Sequence, residues 1–379
     1  MTGPLAGIRV VDLTHFVAGP WCTMLLADLG ADVIKVEPPG TGEIGRRMGA
    51  VYTGGESAIF LAFNRNKRSV AVDLKQAQGR AAAHRLVDQA DVVVHNFRPG
   101  AVERLGMGAE ELRARNPRLV HCAISAFGQD GPYAGRPAND PVIQALTGAM
   151  LLGRDAGERP HRMGVSLPDF ASGVLAAVAI TSALHRRHVT GAGATVDLSL
   201  LDTQMFAQLD HVQALLIGSS RNAGTGDWSA VHRCRDGRHV HLEGPVPELA
   251  RVLAIDDEVL HTGAVESVIG RHDRSHWVKV FDGTGMCAPV NELSEVFAGG
   301  SASLVRTVHP TAGRLPLVRT PIRATPAWPE RVSAPPLLGQ HTAEVLGELG
   351  YSEATIAELE RSAVVGVPPV LSARGEHKG

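Results

Sequence analysis

The sequence predicts an α/β fold, with a doubly wound parallel sheet in a large domain and a smaller α+β domain. Over the first third of the chain, short runs of β-branched residues alternate with helical segments. Such alternation is typical of a parallel sheet with helices on both faces. The length of 379 residues also exceeds the usual size of one domain, which favours a second one.

The elements of the first half follow from these patterns. Strands are predicted at Ile8–Leu13, Asp32–Glu37, Ser69–Asp73, Asp91–Phe97 and Leu119–Ser125. Helices are predicted at Cys22–Leu29, Gly79–Gln89 and Ala109–Asn116. Residues 141–216 are mainly helical, apart from a turn and strand at 191–198. The apolar stretch Gly173–Leu184 is too short to cross a bilayer and predicts a buried helix.

The second half predicts a change of domain. A hairpin is expected at Arg233–Leu242, turning on Asp236-Gly237, and a short helix at Ser275–Phe281. The proline-rich stretch Pro316–Pro336 is interpreted as a linker. Two helices, Gln340–Leu349 and Ser352–Ser362 with a serine N-cap, end the pattern. The predicted division is therefore 1–216 for the large domain, 217–326 for the small domain with its linkers, and 327–379 returning to the large domain.

Composition excludes several classes of function. A net charge of −2, from 37 basic and 39 acidic residues, gives no basic stripe for nucleic acid. The four cysteines form no Cys-x-x-Cys pair, and the 17 histidines do not fall at metal-ligand spacings, so no metal is expected. The N-terminus lacks the pattern of a signal peptide, and no membrane association is expected. We expect a cytoplasmic protein.

Loops at the carboxyl ends of the predicted strands are the expected ligand site, because ligands of doubly wound sheets gather there. These loops are residues 14–20, 37–40, 96–100 and 126–132. None contains GxGxxG or a P-loop, which disfavours a dinucleotide or NTPase site. Lys75, Arg98 and Arg104 fall in or near them and suit phosphate binding, although a solvated charged surface explains each of them singly as well.

Asp169 is the candidate nucleophile. It follows Pro168 at a predicted helix start, where an acid complements the helix dipole, and that role alone explains its type. The same position is expected to keep the carboxylate ionised at neutral pH, so that it can attack without a general base. No GxSxG motif competes with it, and no cysteine has a recognisable catalytic context.

Several ordered motifs resemble the class III CoA-transferase family (CaiB/BaiF type). They include VVDLTHFVAGPWCTMLLADLGADVIKVEPPGTGE, NKRSVAVDLK, HNFRPGAVERLGMG, FGQDGPYAGRPANDPVIQALTG, SLPDFASGVLAAVAI and LLGQHTAEVLGELGYSEATIAEL. The resemblance covers nearly the whole chain and is weakest between about Gly218 and Pro326. It implies a Rossmann-like large domain built from both ends of the chain, a small domain, and an interlocked homodimer.

The resemblance also implies the chemistry. Asp169 matches the family's catalytic aspartate, which takes an acyl group from an acyl-CoA as a mixed anhydride, then CoA as a thioester, and passes CoA to a free carboxylic acid. Coenzyme A or acyl-CoA is the substrate, and no metal is implied. The positions that match CoA-binding motifs are His15, Phe16, Val17, Ala18, Val72, Asp73, Leu74, Lys75, Asn96, Phe97, Arg98, Arg104, Arg136 and Asn139.

The segment Asn222–Trp228 resembles the family's glycine-rich lid but departs from it. It has two separated glycines, Gly224 and Gly226, instead of a run. A plain interdomain turn explains this segment equally well.

Two other functions stay open at this point. The family contains α-methylacyl-CoA racemases, and the segment 282–290 resembles them. However, their proton-transferring histidine is replaced here by Asn139, which cannot exchange a proton at neutral pH. The divergent segment 218–326 suggests the second alternative, an acyl-CoA binding protein that has lost its acceptor site.

Overall fold

The protein divides into two compact units, Met1–Leu209 with Ser303–Gly379, and Asp210–Ala302. The structure is a computed structural model that describes residues 3–152, 159–218, 228–256, 261–298, 303–325, 327–328 and 332–367. The domain division predicted from the sequence, 1–216, 217–326 and 327–379, stays a prediction.

The strands are short and lie mostly in the first unit. In chain order they are β1 (Arg9–Asp12), β2 (Asp32–Glu37), β3 (Tyr52–Thr53), β4 (Glu56–Ser57), β5 (Lys67–Val72), β6 (Val92–His95), β7 (Val120–Ser125), β8 (Ala194–Ser199), β9 (Trp228–Arg233), β10 (His239–Gly244), β11 (Cys287–Val290), β12 (Leu304–His309), β13 (Gly313–Val318) and β14 (Val365–Gly366).

The main sheet confirms the predicted α/β class. Within the described residues its strand order is β14-β5-β2-β1-β6-β7-β8. Neighbours from β5 to β8 pair in parallel, with Val10 of β1 opposite Val33 of β2 and Val92 of β6. Only β14 pairs antiparallel, with Val365 opposite Val72 of β5. The sequence pattern did not predict β14, because a two-residue strand has no periodicity to detect.

The helices connect these strands. They are α1 (Ala18–Asp28), α2 (Ala58–Phe63), α3 (Ala77–Asp88), α4 (Ala101–Arg104), α5 (Ala109–Arg115), α6 (Asp140–Leu146), α7 (Leu167–Thr190), α8 (Leu200–Ala207), α9 (Leu209–Leu216), α10 (Val246–Leu253), α11 (Thr262–Ile269), α12 (Arg274–Val280), α13 (Leu293–Ala298), α14 (Thr342–Glu348) and α15 (Glu353–Arg361). The predicted N-cap of the last helix is confirmed, since the Ser352 hydroxyl accepts from Thr355 N–H.

The hydrophobic core lies on both faces of the sheet, because successive side chains of a strand point to opposite faces. Val11 of β1 belongs to a cluster with residues of α3, α14 and α15. Its neighbour Val10 belongs to a second cluster with residues of α1 and α7. This arrangement is the doubly wound architecture that the sequence predicts.

Helix α1 begins at Ala18 rather than at Cys22, so its predicted start was wrong. Gly19 and Pro20 favoured a loop, yet both occupy the first turn, where a proline needs no hydrogen bond for its missing N–H.

Helix α7 spans 24 residues, which corrects the prediction of a stretch too short for a bilayer. Among the described helices it is the one whose length and composition would allow a membrane crossing. Its most apolar 18 residues have a mean hydropathy of 1.6, and half of them are buried inside the protein. The buried residues Ala176, Ile180 and Leu184 pack in the second core cluster. The apolar character of α7 therefore has an explanation inside the fold.

The unit formed by residues 210–302 contains the antiparallel sheet β9-β10-β11. The predicted hairpin is confirmed, since Arg233 pairs with His239 across the Asp236-Gly237 turn. Pro316 does not belong to a linker as predicted, because it lies in β13 opposite Arg306 of β12. A proline fits here because the two strands pair only with each other, and an edge position tolerates the missing donor.

Candidate active site

A cavity of about 210 Å³ opens at the carboxyl ends of β6 and β7. It brings together five of the residues predicted to bind CoA or acyl-CoA, namely His15, Asn96, Phe97, Arg98 and Arg136. The Arg136 guanidinium lies 4.6 Å from the centre of the Tyr133 ring. The position agrees with the rule that ligands of such sheets bind beyond the strand ends.

The first loop, His15–Ala18, borders this cavity through His15 and is fixed by side chains from other loops. The Asn96 amide accepts from His15 N–H (2.9 Å) and donates to the His15 carbonyl (2.8 Å). Phe16 has a φ of 70°, in the left-handed region that bulky residues rarely adopt. Its N–H donates to buried Glu43 (3.1 Å), which helps to hold that conformation.

A buried charged cluster supports the loop from below. Asp12 accepts from the Thr14 N–H, from Thr23 Oγ1 (2.7 Å) and from Lys67 Nζ (3.0 Å). Lys35 Nζ donates to the Thr14 carbonyl (2.7 Å). Burial pushes the pKa of Asp12 up, but the two lysines and the threonine hydroxyls outweigh burial and hold that pKa below its usual value. Asp12 is therefore a fully paired structural carboxylate.

The remaining predicted CoA positions lie farther along the same edge of the sheet. Val72 ends β5, Asp73 accepts from Lys75 N–H (2.9 Å), and Leu74 packs on the core cluster that Phe97 also contacts. Lys75 and Arg104 are exposed and do not line the cavity. Asn139 precedes α6, next to Ala138, which does line it.

Asp169 lies in the first turn of α7 and is buried, with 6% of its surface exposed. Its backbone N–H donates to Asp140 Oδ2 at 3.3 Å. Asp140 is two residues after the cavity-lining Ala138, but neither Asp140 nor Asp169 lines the cavity itself.

The expectation that Asp169 stays ionised at neutral pH is wrong for the single chain. Burial, and then the nearby Asp140, raise the pKa of Asp169 to about 7, while Arg162 acts in the opposite direction. The helix N-terminus does not compensate for the lost hydration and the second anion. At neutral pH both the protonated and the ionised forms are present.

An aromatic cluster forms around Phe170, the residue that follows Asp169. The Phe170 ring lies 5.6 Å from Trp21 and 5.8 Å from Phe63. The same helices approach closely at Gly173, where an added Cβ would lie 2.6 Å from Trp21 Cδ1 and 2.7 Å from the Ala18 carbonyl oxygen. Because Gly173 has no side chain, the start of α1 can pack closely against the start of α7.

Two residues of the site were missed by the sequence analysis. Ser125 lines the cavity, and its buried hydroxyl has no hydrogen-bond partner among the described residues. Asp140, which directly follows Asn139, was not singled out. The signal that could have found it is the Asp-Pro pair at the start of α6, which mirrors the Pro-Asp pair in the first turn of α7.

The predicted lid residues Gly224 and Gly226 lie outside the described residues. No group of three or more metal-ligating side chains occurs in the part of the chain that the structure describes.

Comparison with known proteins identifies the family. The model of CoA-transferase family III matches residues 5–342. The chain belongs to this family. Human succinyl-CoA:glutarate CoA-transferase is 35% identical to it, over 96% of this chain and 90% of the human protein. Formyl-CoA:oxalate CoA-transferase of Rhodopseudomonas palustris is 30% identical, over 97% and 99% of the two chains.

A solved structure supports the fold of this family III CoA-transferase. The crystal structure of a CaiB/BaiF family protein from Brucella suis superposes with a TM-score of 0.82 at 31% identity. The match covers 92% of this chain and 100% of the other. The large parallel-dominated sheet is therefore the fold of the family.

Proposed function

We propose that this enzyme moves CoA from an acyl-CoA to a free carboxylic acid, with the Asp169 carboxylate as nucleophile. The observation that carries the proposal is a buried carboxylate at the start of α7 whose charge no nearby cation fully compensates. Its hydrogen-bond partner Asp140 lies two residues after Ala138, which lines the cavity together with His15 and Arg98. A carboxylate with a pKa near 7 is more basic than an ordinary aspartate, and this favours nucleophilic attack.

In the first step, ionised Asp169 attacks the thioester carbonyl of the donor. The C–S bond breaks, the CoA thiolate leaves, and a mixed anhydride forms on Asp169. A thiol with a pKa of about 8.5 is a tolerable leaving group without an acid catalyst.

In the second step, the thiolate attacks the Asp169 carbonyl and releases the donor's carboxylate. The enzyme now carries an aspartyl-CoA thioester. An acceptor carboxylate reverses the two steps and leaves as its CoA thioester. The net reaction conserves the thioester bond and the charge.

The residues predicted to bind CoA keep the leaving thiolate in place. The cations that we propose for its phosphates are Arg98, Arg104, Arg136 and Lys75. Ala18 of the first loop lies close to Gly173, about one helical turn after Asp169. The ring cluster of Trp21, Phe63 and Phe170 limits the access of water, which would otherwise hydrolyse the activated aspartate.

We infer that the acceptor is a short dicarboxylate. The names of the two relatives give glutarate and oxalate as acceptors, with succinyl-CoA and formyl-CoA as the donors. The racemase and binding-protein alternatives are not retained, because the named relatives are transferases and Asn139 offers no proton-transferring group.

A homodimer fits the exposed apolar side chains of α7 and α8. Val178 of α7 is 54% exposed and Phe206 of α8 is 62% exposed. Light scattering behind size exclusion tests this: a mass near 40.0 kDa would contradict the dimer.

The deciding experiment is intact-protein mass spectrometry after mixing with succinyl-CoA. We expect the protein to gain the mass of CoA less water, at a peptide containing Asp169. The variant Asp169→Asn should lose both the adduct and the transfer of CoA to glutarate, while Asp202→Asn, an exposed acid in the first turn of α8, should keep them. Full transfer by a purified Asp169→Asn protein would refute the proposed nucleophile.

A further inference from the structure

The second carboxylate, Asp140, forms no ion pair within 4.0 Å among the described residues, yet it is only 3% exposed and is held by hydrogen bonds. Its Oδ1 accepts from Gln144 Nε2 at 2.7 Å, one turn along α6. Its Oδ2 accepts from the Asp169 N–H. Both contacts fix where its charge lies relative to the proposed nucleophile.

Gln144, which donates to Asp140, is itself held in place by other residues. Gln144 is fully buried, and its Oε1 accepts from Met163 N–H at 3.0 Å. Its Nε2 also lies 3.4 Å from the Val165 carbonyl. Gln144 therefore ties α6 to the segment that enters α7, so Asp140 cannot easily swing away from Asp169.

The charged groups that act on this pair are few. Arg162 is exposed and lowers the pKa of both acids, whereas burial raises both. The helices that pack on the start of α7 bring apolar side chains there, including Trp21 of α1. Asp140 is therefore the main nearby charge opposing a negative Asp169.

We propose that Asp140 is a positioning residue that favours the covalent intermediates by destabilising the free Asp169 carboxylate. This inference rests on the proposed function. Acylation or thioester formation turns Asp169 into a neutral group, and the negative charge leaves with the released acid. Repulsion between the two buried carboxylates is present before the reaction and absent after it, so it shifts the exchange equilibrium toward the enzyme-bound thioester.

The reaction is balanced without any further reactant. One acyl-CoA and one Asp169 carboxylate give one aspartyl-CoA thioester and one free carboxylate. The same repulsion also disfavours hydrolysis, because hydrolysis regenerates two neighbouring anions. Asp140 thus acts on Asp169 and does not contact the reacting atoms.

The test measures the fraction of enzyme that carries CoA at fixed concentrations of succinyl-CoA and succinate, at pH 8. We expect Asp140→Asn to lower the ratio of adduct to free enzyme by about tenfold, the effect of one pKa unit. We also expect the pH at which adduct formation is half-maximal to fall by about one unit. Asp140→Glu keeps the charge and should restore much of both quantities.

Asp202→Asn serves as the matched control, since it removes one charge from the neighbouring helix α8. An Asp140→Asn protein with an unchanged adduct ratio and pH profile would overturn the inference. The inference would also be overturned if Asp140→Asn and Asp140→Glu both lost the adduct at every pH. That result would indicate a purely structural role for Asp140. Failure of the wild-type protein to form any adduct would instead refute the proposed function.

Discussion

Two buried aspartates at the same edge of the sheet have opposite electrostatic surroundings. Asp12 at the base of the first loop contacts Lys67 at 3.0 Å and lies 3.9 Å from Lys35, and its pKa is lowered. Asp169 at the start of α7 lies near Asp140, and its pKa is raised to about 7. Burial disfavours the charge of both, so their partners decide which carboxylate supports structure and which is available for chemistry.

The largest effect is expected at the paired aspartate. Asp12→Asn leaves two buried lysines without their carboxylate, and breaking a buried ion pair costs about 3–5 kcal/mol. Denaturant unfolding should show this loss. Asp88→Asn, which breaks the surface pair with Arg115, should change the unfolding free energy by less than about 1 kcal/mol. Equal losses in the two variants would contradict the assigned role of Asp12.

Substitution of Asp169, unlike that of Asp12, should increase the stability of the fold. Because its folded pKa exceeds the unfolded value, Asp169 binds more protons when folded, and its contribution to stability falls as the pH rises from about 4 to 7. Asp169→Asn removes this penalty. Since the pKa rises from 3.8 to about 7, we expect a gain on the order of 4 kcal/mol at pH 8 and almost none at pH 4. Thermal melts at both pH values check it, and a pH-independent difference would argue against the raised pKa.

The smallest effect is expected at Gly173, where the start of α7 packs against the start of α1. In Gly173→Ala, the new Cβ would overlap Trp21 and the Ala18 carbonyl, so α1 and α7 must separate slightly. Overpacking of this kind costs about 1–3 kcal/mol, and the transfer rate should fall as the first loop moves relative to Asp169. Gly347→Ala is the matched control, because nothing lies within 4 Å of its added Cβ. A Gly173→Ala enzyme with unchanged stability would show that this approach is not tight.

Local patterns were enough to predict the sheet and the helix start at which Asp169 lies. The strand Asp32–Glu37 has the predicted bounds, and Pro168 opens α7 as expected. The partners of a buried charge were not predictable, because they come from distant parts of the chain. Asp140 is 29 residues from Asp169, and Lys67 is 55 residues from Asp12. The ionisation of Asp169 depends on such contacts, and for that reason its prediction from the helix terminus alone was wrong.

The position of β14 has a consequence for how the polypeptide folds during synthesis on the ribosome. Residues 365–366 cover the edge of β5, a strand made from residues 67–72. That edge therefore stays open while nearly three hundred further residues, including the whole unit of residues 210–302, are translated. An uncovered strand edge is a template for wrong pairing between nascent chains. Chaperone binding to the newly made chain should accordingly persist until the segment containing Val365 can pair with Val72.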